Sequence, residues 1–215
     1  MLRAAALVVV SLLTITACDD APSSSGASST TTEQAPSRFN APKKVEAASK
    51  AATSFCEKTF PAGEGGKRFV APAEKPLPDG TSPAPWVALR PSKMWTWVNL
   101  WATWCHPCVE EMGLLAQWEK ALAKDGLPIG VELYSVDDGL EDLVKGLKKP
   151  MPGTIRWLKG GANDLPAVLE SWGVDKNSPI PVHALVDGNG MLRCVRVGSV
   201  HIEDYAAIKS IISGN

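Results

Sequence analysis

From Trp95 onward, short apolar runs alternate with stretches whose apolar residues recur at helical spacing, which predicts strands and helices in turn. Trp97–Trp101 is apolar at nearly every position, the pattern of a strand buried on both faces. Behind it, Cys108, Met112, Leu115, Trp118 and Leu122 line one face of a helix. Glu110, Glu111, Gln117 and Lys120 fall mostly off that face, and Gly126 serves as its stop. Ile129–Val136 predicts a second strand. Leu140, Leu143, Val144 and Leu147 predict a helix that ends before Pro150. Thr154–Leu158 is a short strand, followed by a helix with Leu165, Val168, Leu169 and Trp172 facing inward. Val182–Val186 and Met191–Val197 flank the turn Asp187-Gly188-Asn189-Gly190 as a hairpin, and Ile202, Tyr205, Ile208 and Ile212 give a closing helix. Strand–helix–strand–helix followed by hairpin and helix predicts an α/β three-layer sandwich around a central mixed β-sheet.

Upstream the pattern is looser. Val45, Ala48, Ala52 and Phe55 have helical spacing, so an amphipathic N-terminal helix is expected to dock on the core and bring Cys56 with it. The following stretch to Pro91 is so rich in proline and glycine that long helices are excluded; edge strands are expected near Arg68–Ala71 and Trp86–Leu89. Residues 18–42 are Ser, Thr, Ala and Pro with few large apolar side chains, a flexible tether. The expected division is therefore 1–17, 18–42 and a domain over 43–215, the last subdivided into 43–60, 61–94 and the core 95–215.

The first 17 residues read as a signal peptide. Arg3 precedes an apolar run too short to span a bilayer as a stable helix. Ile15-Thr16-Ala17-Cys18 resembles the bacterial lipoprotein cleavage box, which implies lipidation of Cys18 and membrane anchoring through it. An ordinary secretory signal with Cys18 as a bystander, or an uncleaved anchor, are the alternatives. Each of them exports the chain, to the periplasm for a lipoprotein of this kind, where disulfides are permitted.

Composition narrows the function classes. The 215 residues suffice for one well-buried domain with extensions, and 45% hydrophobic with 21% charged residues is globular. A net charge of -1 with no basic run gives no nucleic-acid partner. Four of the eight tryptophans, Trp95, Trp97, Trp101 and Trp104, crowd the approach to Cys105. Of five cysteines, lipidation of Cys18 would leave four.

Cys105-His106-Pro107-Cys108 follows the first strand and opens the first core helix. A thiol at a helix N-terminus sits in positive potential, which favours its thiolate and makes Cys105 the expected nucleophile. Cys108, one turn later, can close a disulfide on it. Pro107 fits the first turn, where a missing N–H costs nothing. Protonated, His106 would stabilise the Cys105 thiolate further; otherwise it is a solvent-facing tuning residue. A static disulfide or half of a zinc site would use the same pair, but four-ligand zinc needs a second close pair that the sequence lacks. Val109 stands where haem attachment requires histidine.

Trp-Cys-His-Pro-Cys after an apolar strand resembles a thioredoxin-fold active site. The longer stretch Trp97–Cys105, with Glu110-Glu111-Met112 behind it, resembles the membrane-tethered extracytoplasmic branch containing the TlpA and ResA proteins. That resemblance implies a thioredoxin-like sandwich and a protein-disulfide oxidoreductase with no cofactor and no metal. Cys105 and Cys108 would be its redox-active disulfide, and Glu111 a catalytic carboxylate that exchanges a proton with Cys108. Without that role, Glu111 is a solvated helix-face residue. Asn99 occupies the place where cytoplasmic thioredoxins bury an aspartate, and Gly113 a place where the branch often has proline. Ile180-Pro181 matches the cis-proline loop that faces the thiols; a trans proline starting a strand is the alternative. Substrate contact falls to Trp104, His106, Pro107, Ile180 and Pro181. His183 is expected to be packed or hydrogen-bonded rather than a ligand. Members of the branch can tie an N-terminal extension to the sheet, which implies a structural disulfide between Cys56 and Cys194; two buried free thiols are the alternative.

The implied partners are protein thiol or disulfide substrates, such as apocytochrome c thiols or the copper-site cysteines of an oxidase. A membrane dithiol donor would recharge a monomeric protein. A Cu(I)-binding chaperone using the same pair, a thiol oxidase and a peroxidase relative are the competing readings.

Overall fold

In a computed structural model, the described residues are 54–77, 79, 94–147 and 151–214. In chain order they form β1 (Lys58–Thr59), β2 (Lys67–Arg68), β3 (Glu74–Lys75), β4 (Trp95–Trp101), α1 (His106–Lys124), β5 (Ile129–Ser135), α2 (Leu140–Gly146), β6 (Thr154–Leu158), α3 (Leu165–Trp172), β7 (Val182–Val186), β8 (Met191–Val197) and α4 (Tyr205–Ser213). One sheet takes them in the order β1-β8-β7-β4-β5-β6-β3, with β2 also paired to β8. The β4–β5 and β5–β6 pairs are parallel, and α1 and α2 supply the crossovers that parallel pairing needs. β7 runs antiparallel to β4 and forms a hairpin with β8, so the sheet is mixed.

β4 lies at the centre because it is apolar on both sides: Trp97, Val98, Leu100 and Trp101 are no more than 1% exposed. On the face that carries Trp97, the Trp118 ring of α1 lies 5.9 Å from Trp97 and 5.8 Å from Tyr205 of α4, so the two helices share that face. The opposite face, with Val98, Leu100, Val182 and Ala184, is equally buried.

The far edge of the sheet holds a buried ion cluster. Arg156 of β6 donates from Nε to Glu132 of β5 at 2.8 Å and from Nη1 to both carboxylate oxygens of Glu74 on β3, at 3.0 and 2.7 Å. Burial alone would lower the guanidinium pKa; the two carboxylates outweigh it and raise it. Burial also pushes the neighbouring Tyr134 phenol well up. This cluster is what fastens a two-residue strand to the edge.

At the other edge the segment before β1 is fastened to β8. Cys56 is disulfide-bonded to Cys194, 138 residues away. Arg196 donates to the Phe55 carbonyl at 3.2 Å with its guanidinium 4.9 Å from the Phe55 ring centre. β1 pairs with β8, Lys58 opposite Val195 and Thr59 opposite Cys194.

Several expectations need correction. Glu111 lies on the buried face of α1, 4% exposed, not off it. Ile202 belongs to a 3-10 turn, Ile202–Asp204, and is exposed; α4 begins only at Tyr205. The upstream strands are two-residue pairings at Lys67–Arg68 and Glu74–Lys75 rather than a strand over Arg68–Ala71. Of the N-terminal helix only Ser54 and Phe55 are described as helical, and its remainder lies outside the described residues, as do Trp86–Leu89, the tether and Cys18.

Candidate active site

β4 ends at Trp101, and four residues later Cys105 takes the N-cap position of α1 with extended backbone, φ -82° and ψ 97°. Pro107 sits in the first turn, and no side chain caps the helix. The N–H groups of that turn place positive potential at the N-cap position, where Cys105 sits. Cys105 and Cys108 are joined as a disulfide. Cys105 is 5% exposed and Cys108 fully buried, so Cys105 is the sulfur nearer solvent.

Asp137, at the end of β5, holds the loop that leads into the pair. Its carboxylate accepts from the Thr103 N–H at 3.2 and 3.1 Å, from the Thr103 hydroxyl at 2.6 Å and from the Ser135 hydroxyl at 2.7 Å. The Trp157 indole donates to its carbonyl at 2.7 Å. On the other side of Thr103, α2 closes in at Gly146, where a Cβ would run into the threonine side chain. Sequence reasoning missed Asp137. Its signal was available: an aspartate directly after a mostly apolar strand, Ile129–Val136, must find donors or leave a buried charge.

Across from the disulfide, Ile180-Pro181 is a cis peptide, and the Ile180 carbonyl oxygen lies 3.7 Å from Cys105 Sγ. Pro181 is buried and Ile180 partly so. The rim is exposed: Trp104 keeps 65% of its surface, Pro107 faces solvent, and His106 Nε2 lies 3.2 Å from Glu110 on the next turn. Beside Trp104 a cleft of about 590 Å³ has apolar walls from Trp101, Val109, Met112 and Met151, with Asp142 and Lys145 adding charge.

Behind the disulfide lies a buried polar group of four side chains. Glu111 Oε1 accepts from Asn99 Nδ2 at 2.8 Å, and Oε2 from the Val200 N–H at 3.0 Å. Asn99 Nδ2 is also 3.0 Å from His183 Nδ1, which accepts from the Trp97 indole at 3.1 Å. The structure thus brings Cys105, Cys108, Glu111, Ile180 and Pro181 to one end of the sheet. His183, expected only to be packed or hydrogen-bonded, is both.

No family model matches the chain, and no curated relative matches it. Solved structures do. A thiol:disulfide interchange protein DsbE from Chlorobium tepidum is 21% identical at a TM-score of 0.50, over 69% of this chain and 95% of that one. A thioredoxin-related protein from Neisseria meningitidis serogroup B is 22% identical at 0.51, over 64% and 96%. At such identities the likeness speaks to fold. The chain has a thioredoxin-like α/β fold with a mixed central sheet, and it carries a Cys-x-x-Cys disulfide at the start of α1.

Proposed function

We propose that this chain is an exported, lipid-anchored protein thiol–disulfide oxidoreductase that works in the reducing direction. The observation that carries the reading is the Cys105–Cys108 disulfide at the uncapped N-terminus of a 19-residue helix, facing the Ile180 carbonyl. In the reduced protein, the Cys105 thiolate attacks one sulfur of a substrate disulfide. A mixed disulfide forms and the other substrate sulfur leaves with the electron pair and takes a proton. The substrate backbone lies along Ile180-Pro181, with Trp104, His106 and Pro107 at the rim. Cys108 gives its proton to Glu111, and its thiolate attacks Cys105 Sγ. The Cys105–Cys108 bond forms, the bond to substrate breaks, and the second substrate thiol is released. Two electrons and two protons have moved from the dithiol to the substrate disulfide.

Export and anchoring are supported by the cleavage box ending in Cys18, and an oxidising compartment by the Cys56–Cys194 disulfide. The reducing direction, with apocytochrome c or oxidase copper-site cysteines as targets and a membrane dithiol as donor, rests on the resemblance to the TlpA and ResA branch. Trapping thiols in intact cells tests it. A reductase keeps Cys105 and Cys108 mainly reduced, whereas a mainly oxidised pair overturns the direction.

A further inference from the structure

His183 sits in the middle of β7, 1% exposed and opposite Asn99 of β4. Its two ring nitrogens meet different partners. Nδ1 is 3.1 Å from Trp97 Nε1, and an indole nitrogen can only donate, so Nδ1 accepts and carries no proton. The ring proton is therefore on Nε2. That atom lies 3.4 Å from Glu111 Oε1, somewhat beyond hydrogen-bond length, and makes no hydrogen bond to any described residue.

The two oxygens of Glu111 are consequently unequal. Each carboxylate oxygen can accept twice. Oε1 takes Asn99 Nδ2 at 2.8 Å and has the His183 Nε2–H beside it, while Oε2 takes only the Val200 N–H at 3.0 Å. We propose that His183 is a positioning residue for proton exchange at Glu111. Its Nε2–H, oriented by the Trp97 and Asn99 N–H groups at Nδ1, lies 3.4 Å from Oε1 and makes that oxygen the less basic of the two. That leaves Oε2 as the oxygen that takes the Cys108 proton. This deepens the proposed role of Glu111 and rests on it. The proton leaves Cys108 Sγ for Oε2, the Cys108 electron pair forms the bond to Cys105 Sγ, and the substrate sulfur leaves. His183 keeps its own proton throughout.

The groups that approach this carboxylate are Asn99 from β4, His183 from β7 and the Val200 backbone, and Cys108 lies three residues earlier on the same buried face of α1. Arg196 lies opposite His183 in register but is turned to other partners. It donates to the Phe55 and Ser199 carbonyls and lies 3.9 Å from Asp204. No cation therefore competes with His183 for Oε1 among the hydrogen bonds and ion pairs of the described residues.

The experiment compares His183→Gln with His183→Leu in the full chain, alongside Glu111→Gln. The readouts are the pH profile of alkylation of the reduced pair and the rate at which Cys108 resolves a mixed disulfide. A glutamine can still accept from Trp97 and donate to Glu111, so it should resolve within about twofold of the parent, whereas leucine should slow resolution about tenfold and move the profile. If His183→Leu leaves both readouts unchanged while Glu111→Gln moves them, His183 only packs and the proposal is overturned. If Glu111→Gln moves neither, the role of Glu111 itself is overturned, and the proposal falls with it. Should His183→Leu not fold, His183→Phe tests the same point, because it keeps an aromatic ring in that place without the Nε2–H. It should move the profile, and an unchanged profile overturns the proposal.

Discussion

Asp137 grips Thr103, two residues before Cys105, through both its backbone N–H and its hydroxyl, the latter at 2.6 Å. The end of β5 thereby sets where the loop from β4 delivers the first cysteine. Removing the carboxylate takes the acceptor from the partly buried donors of Thr103 and from the fully buried Ser135 hydroxyl.

Asp137→Ala should therefore destabilise the protein by about 2–4 kcal/mol, since losing the acceptor of charge-assisted bonds exposes their full desolvation cost. Denaturant unfolding measures it. Disulfide exchange by the folded fraction should also slow, because Cys105 loses its fixed approach.

The Cys56–Cys194 disulfide closes a loop with a sequence separation of 138. The double variant Cys56→Ala/Cys194→Ala should lower stability by about 4–5 kcal/mol at most in the chain-entropy model. Exchange at Cys105 should persist in what remains folded. Loss of exchange without loss of folding would give this pair a part in the chemistry.

Arg156 neutralises two carboxylates at the far edge of the sheet. Arg156→Ala should cost about 3–5 kcal/mol, because a broken buried pair leaves uncompensated charge behind. Replacing Arg156 by Met together with Glu74→Gln and Glu132→Gln should cost clearly less. Thermal unfolding of the two variants gives the comparison.

Asp125, at the end of α1, accepts from Lys209 at 2.8 Å and Tyr205 at 3.0 Å, and these bonds hold its pKa below the usual value of 3.8. The unfolded state then binds more protons between the two values. The contribution is present above about pH 4 and is lost as pH falls through the folded value. Tyr205 is shifted up, by burial and then by its bond to Asp125, so its contribution is lost only as pH rises beyond about 10. Asp125→Asn should flatten the acid limb of stability measured against pH.

Much of the fold was legible because its strands and helices past Trp95 carry their own periodicity. β4 is apolar at most positions, α1 shows a spaced apolar face, and the Asp187–Gly190 turn separates two strands. The two-residue strands were not legible. Lys67–Arg68 and Glu74–Lys75 pair because β8 and the Glu132–Arg156 cluster offer them partners, which is information held elsewhere in the chain. Glu111 was misplaced for a related reason. A glutamate on a helix reads as solvated until Asn99 and the Val200 N–H, distant in sequence, are seen to satisfy it. The thiol pair was legible because its chemistry needs only four consecutive residues and a helix start.

The central claim is that Cys105 attacks and Cys108 resolves. Reduced Cys108→Ser protein, mixed with an oxidised peptide disulfide and analysed by mass spectrometry after proteolysis, tests it most directly. The account predicts a stable mixed disulfide on Cys105, and none when Cys105→Ser is used with Cys108 intact. An adduct on Cys108 in the Cys105→Ser protein, with none on Cys105 in the Cys108→Ser protein, would contradict it.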